Sequence, residues 1–106
     1  MSKFLLRASF TTEGLKRVQQ IKATGLRAIA TKAAEVAGGK VEGYYFAFGA
    51  DDIVGIADFP DAGAAASLSV AVNSAGLVRL TTTPLMTAEE MDRALEKAAS
   101  LPVMGR

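Results

Sequence analysis

Cysteine and histidine are both missing from the 106 residues, and each absence closes off a class of chemistry. Without thiols the chain has no disulfide, no thiolate nucleophile and no cysteine-bound structural zinc, a pattern that fits a reducing, cytoplasmic setting. Without imidazole it has no His-based triad, no His-ligated haem and no transition-metal site of the imidazole type. Carboxylates, tyrosine, lysine, arginine, serine and threonine are left to carry any reaction, and neither a metal nor a cofactor is expected. Residues 1–7 place only a few apolar side chains before Arg7, too few for a signal-peptide core or a membrane span. An excess of one charge is lacking too. Twelve Lys and Arg stand against eleven Asp and Glu, a net charge of +1, so neither nucleic acid nor a membrane is an expected partner.

What is present is apolar and small. Half the residues are hydrophobic but only 7% are aromatic, and alanine dominates the apolar content, which predicts a core of small side chains and closely approaching helices. One core is the rule at this length, so residues 1–106 are expected to form a single domain.

Periodicity gives the order of elements. Phe4, Leu6, Ala8 and Phe10 alternate with Leu5, Arg7 and Ser9, which predicts a strand over 3–10 with one apolar face. Thr11 or Thr12 then offers an N-cap, and Leu15, Val18, Ile21, Gly25, Ala28, Ile29, Ala33 and Val36 recur at helical spacing up to Gly38-Gly39, which read as a C-cap. Gly25, costly inside a helix, marks the expected kink or close contact. Residues 41–48 and 53–59 read as two strands joined by the polar link 49–52, a hairpin. Pro60 and Asp61 open a second helix that carries Ala65, Leu68 and Val72 inward and ends at Gly76. A fourth strand follows over 77–83. Thr87-Ala-Glu-Glu90 is a capping box, and the helix it starts has Met91, Leu95 and Ala98 on one side.

The order βαββαβ, with a further C-terminal helix, predicts an α+β domain of the ferredoxin-like kind: a four-stranded antiparallel sheet with strand order 4-1-3-2 and two helices on one face. The other sheet face is left bare. By strand parity Phe46, Phe48, Val54 and Ile56 cannot all lie under the helices, so a second copy packing there as a dimer, in the manner of a dimeric α+β barrel, is the expected arrangement.

The hairpin run Gly43-Tyr-Tyr-Phe-Ala-Phe-Gly49-Ala-Asp-Asp52-Ile-Val-Gly-Ile-Ala-Asp58-Phe-Pro60-Asp61 resembles the GYD-domain family, named for a Gly-Tyr-Asp signature. The opening strand, the entry Gly38-Gly39-Lys-Val41 and the segment Gly76-Leu-Val-Arg-Leu-Thr81 are similar as well, so the resemblance spans nearly the whole chain. Asp51 stands where the family typically has its tyrosine, and the shared positions are Gly49, Asp52, Pro60 and Asp61. The resemblance implies a ferredoxin-like fold related to dimeric α+β barrels and implies no established reaction.

Several residues are candidates for chemistry. Adjacent Asp51 and Asp52 can attract a hard cation or act as a base, but aspartate at a tight turn is better explained by local backbone hydrogen bonds. Arg7, Asp58 and Arg79 are polar positions inside strands, and the strand order is expected to set Arg7 beside both of the others. Facing the dimer space, they form either an anion pocket for a carboxylate or phosphate or an ion-pair cluster that fixes the dimer register. Tyr44 and Tyr45 point to opposite faces, one toward the helices and one toward the open side. The basic positions Lys16, Arg17, Lys22, Arg27 and Lys32 read as the solvated face of the first helix.

These readings leave three function classes. The first is a homo-oligomeric domain that binds a small acidic or aromatic metabolite between sheet and helices. The second is a cofactor-independent monooxygenase or isomerase that uses tyrosine and carboxylate groups. The third is a structural module for assembly alone.

Overall fold

Four runs of alternating or β-branched residues become strands in the structure, a computed structural model that describes residues 1–105. The elements follow in the order β1 (Ser2–Phe10), α1 (Thr12–Val36), β2 (Lys40–Phe46), β3 (Ile53–Phe59), α2 (Ala62–Ala75), β4 (Val78–Pro84) and α3 (Ala88–Ala99). The strands form one antiparallel sheet in the order β2-β3-β1-β4, the predicted α+β ferredoxin-like arrangement read from its opposite edge.

Register divides the sheet into two unlike faces. Leu6 lies opposite Gly55 on one side and Thr82 on the other, and Arg7 lies opposite Val54 and Thr81. Because side chains alternate along a strand, Phe4, Leu6 and Ala8 share the covered face with Ile53, Gly55, Ala57 and Phe59. Phe4 and Phe59 meet edge to face at 5.8 Å, and Ala34 of α1 and Ala65 and Leu68 of α2 pack on them. Alanine is what lets the helices sit so low: Ala34, Ala57 and Ala65 are all buried in this cluster. On the bare face lie Lys3, Leu5, Arg7, Ser9, Val54, Ile56 and Asp58.

The helix ends are specified locally. Thr11 accepts from the Gly14 amide at 3.1 Å, and its hydroxyl donates to the Gly76 carbonyl at 2.7 Å, tying the start of α1 to the end of α2. Asp61 caps α2 through the Ala64 amide at 2.8 Å, and Gly76 takes the left-handed conformation that ends it, at φ 77°. Thr87 and Glu90 complete the predicted capping box. The hydrogen bonds that Glu90 accepts from Thr87 hold its carboxyl below the ordinary range.

Two details depart from the sequence reading. β2 ends at Phe46 instead of 48, because the Ala47 amide turns to the Asp52 carbonyl at 2.8 Å and closes a wider turn, leaving Phe48 fully exposed. The break in α1 falls at Lys22, with φ 70° and ψ 165°, and not at Gly25. A straight helix would set Ile21 and Leu26 about 140° apart. The break brings both into one cavity above the start of β4, at a conformational cost of roughly 1–3 kcal/mol for a non-glycine residue.

α3 buries none of its residues; Met91 and Leu95 are 45% and 55% exposed. With this helix standing off the sheet, the molecule measures 56 × 28 × 22 Å and its radius of gyration is 16.7 Å, against about 13 Å for a compact domain of this length. No helix among the described residues is long and apolar enough to cross a membrane.

Candidate functional site

The two helices cover the sheet incompletely, and between them lies a cavity of about 210 Å³. Leu6 and Ala8 of β1, Ile53 and Gly55 of β3, and Val78 and Leu80 of β4 form its floor. Leu26, Ile29, Ala30 and Ala33 of α1 close one wall, and Leu68, Val72 and Ala75 of α2 the other. Among the described residues its only polar side chain is that of Tyr44. The Tyr44 ring lies over Gly55, its partner across the β2–β3 pair, and meets Phe46 edge to face at 5.5 Å. Burial pushes the Tyr44 phenol up to about 12, so at neutral pH its hydroxyl is a proton-bearing donor set in an apolar wall.

The expected polar site is divided by the register. Arg7, Tyr45, Asp58 and Arg79 lie on the bare face, and Tyr44 alone reaches the cavity. Arg7 does not neighbour Asp58: it sits opposite Val54, and Asp58 is four residues further along β3, about 13 Å away at strand spacing. Asp58 is opposite Lys3 and Lys40 and pairs with the Lys3 ammonium at 3.2 Å; Lys3 also reaches Glu42. Desolvation pushes the Asp58 carboxyl up, but the hydrogen bond and charge of Lys3 outweigh it and hold that group below its ordinary value. Arg79 is opposite Ser9, diagonal to Arg7. The nearest carboxylate to Arg7 is that of Asp51, whose oxygen is 3.9 Å from the guanidinium Nε. The bare face thus carries charged clusters at two ends, with Leu5, Val54 and Ile56 half-buried between them and Tyr45 70% exposed beside them.

The shared hairpin positions hold backbone. Asp52 accepts from the Phe10 amide at 2.8 Å, its own amide donates to Ala8 at 2.9 Å, and its carbonyl receives the Ala47 amide. One residue therefore clamps the hairpin to the end of β1, and its carboxylate serves a long-range backbone bond where the sequence suggested a local turn bond. Asp61 is the α2 cap, Pro60 lies against Gly38, and Gly49 sits in the open turn. Asp52→Ala is expected to lower stability by about 1–3 kcal/mol, the cost of an unmet backbone donor, measured as a shift of the urea midpoint. A midpoint equal to the parent's would reassign Asp52 to something other than this clamp.

The cavity was not visible in the sequence, since its walls read as ordinary core stripes of two helices. Arg17 is exposed, as its reading as part of a solvated face expects, but that reading did not include its place in the lining of a second cavity of about 140 Å³ beneath the first half of α1. The signal available was the helical offset of Arg17 from Val18, Ile21 and Gly14, residues that line the same space.

A sequence model described as GYD domain matches residues 4–95. No curated protein matches the chain. No solved structure matches it.

Proposed function

The chain belongs to the GYD-domain family, and on that premise we propose that it is a homo-oligomeric domain that binds a small aromatic or otherwise apolar metabolite between its sheet and helices. The observation that carries the reading is the cavity itself, an apolar space whose only polar lining side chain among the described residues is Tyr44. Ligand sites have this make-up: apolar walls supply affinity at about 25 cal/mol for each Å² taken from water, and a single polar group fixes orientation. Among the described residues no cation lines this cavity, so the chemistry favours an aromatic or aliphatic body over a bare acid. Oxygenase or isomerase chemistry would need a second polar group beside Tyr44, and the lining supplies none.

Assembly rests on the bare face. A four-stranded sheet with half-buried Leu5, Val54 and Ile56 and an exposed tyrosine presents an apolar centre with charges at both ends, the pattern of a self-complementary contact in which each cluster meets its counterpart about a two-fold axis. The ion pairs of Lys3 with Asp58 and Arg7 with Asp51 favour fixing of register over ligand capture at that face, since these charges already have partners.

Native mass spectrometry of protein purified from its own host, under gentle and denaturing conditions, tests both halves. The expected result is an oligomer carrying an added small mass that is lost on denaturation. An oligomer with no passenger would count against binding, and a monomer would count against assembly.

A further inference from the structure

The two cavities lie side by side. Leu26, Ile29, Leu77 and Val78 line both, so the large space under the second half of α1 adjoins the smaller one under its first half, near the break marked by Lys22. Their chemistry differs at one point. Among the described residues the larger has no charged side chain, whereas the smaller has a single one, Arg17. Among the described residues no carboxylate pairs with Arg17, although Lys16 beside it reaches Glu13. An exposed guanidinium at the rim of an apolar cavity, with its fork unused, suits an anion bonded to a greasy body. The two volumes together reach the range of small-molecule sites, which begins near roughly 300 Å³.

We infer that the ligand is an amphipathic carboxylate, its apolar chain or ring in the larger cavity near Tyr44 and its carboxylate at Arg17. This rests on the proposed binding reading and adds to it the class of molecule and its direction. The break in α1 has a role in this arrangement: it turns Ile21 and Leu26 to the same side, so that the ground between the two spaces is apolar. A neutral molecule of equal length fills the same walls but leaves the arginine unused.

Decanoate and 1-decanol separate the terms. In calorimetric titrations the full-length protein is expected to bind both, decanoate the more tightly and with an affinity that falls as salt rises. Arg17→Ala, at an exposed helix position, is expected to weaken decanoate by about tenfold or more, the loss of one charge-assisted hydrogen bond, and to leave 1-decanol unchanged; Arg17→Lys should recover part of the difference. If Arg17→Ala binds decanoate as the parent does, while Ala30→Phe, which fills the larger cavity, loses both compounds, the anchor is wrong and the cavity reading stands. Equal weakening of both compounds in Arg17→Ala would place the residue's effect in packing and overturn the assignment. Failure of the parent protein to bind either compound would overturn the assignment and the cavity reading together.

Discussion

Replacing Gly14 with alanine is expected to remove more than about 3 kcal/mol of stability, beyond the usual range for overpacking, and to leave much of the protein unfolded in mild urea. Gly14 is buried in the first turn of α1, and a Cβ placed on it would lie 1.8 Å from the Leu77 carbonyl oxygen. The neighbour is backbone, so it cannot rotate aside. It is also occupied: the Thr11 amide donates to that same oxygen at 3.1 Å, and the Thr11 hydroxyl, whose shorter bond is to the Gly76 carbonyl, lies 3.1 Å from it. Any shift that admits the methyl group therefore weakens the join between α1 and the turn into β4. Alanine's better helix propensity returns only about 1 kcal/mol, so the net sign is decided by the clash. A urea midpoint close to the parent's would mean that Leu77 yields without loss and that this join contributes little.

Phe59→Ala is the second large effect. Its ring is the bulkiest side chain to be fully buried, it meets Phe4 edge to face, and α1 and α2 both close over it. Truncation creates a cavity that the surrounding alanines cannot collapse to fill, having no rotamers to adjust, and the expected cost is about 3–5 kcal/mol. For a domain of this size each kcal/mol moves the melting temperature by roughly 4–8 °C, so calorimetry should show a fall of well over 10 °C. Phe48→Ala supplies the contrast. Its ring is fully exposed in the wide turn, and the same truncation there should change stability by no more than about 0.5 kcal/mol. Similar losses at both positions would contradict the division between core and turn.

The outline of the fold was legible because most of it is written in short-range terms. Alternation at Phe4, Leu6 and Ala8 marks a strand whatever lies around it, Thr87 and Glu90 mark a helix start through bonds made within one turn, and Gly76 marks a helix end by the conformation it alone adopts cheaply. Parity also placed Tyr44 and Tyr45 on opposite faces. What could not be read depends on long-range geometry. Nothing in a lysine announces a positive φ, and Gly25 was the better local candidate for the break; Lys22 takes it because both halves of α1 must bury side chains on one sheet. The partner of Asp58 was missed for a related reason. Strand order fixes which strands touch, but the pairing of Asp58 with Lys3 rather than Arg7 follows from the β1–β3 register, which sets Ser2 opposite Phe59 and Ala8 opposite Ile53 and which composition does not reveal. The cavity is further still from the sequence, being set by the distance between two helices that each look correctly amphipathic.

The stand-off of α3 divides the protein's cooperativity. β1 and β3 are held by neighbours on both sides, so their amides can exchange with solvent only when the whole sheet opens. α3, with no buried residue and a length of twelve residues, is near the limit at which an isolated helix persists in water. Its amides are released by fraying and local melting at little cost to the rest. A single unfolding free energy measured on this protein therefore describes the sheet and the two helices that cover it, while the last helix opens and closes on its own schedule within the native state.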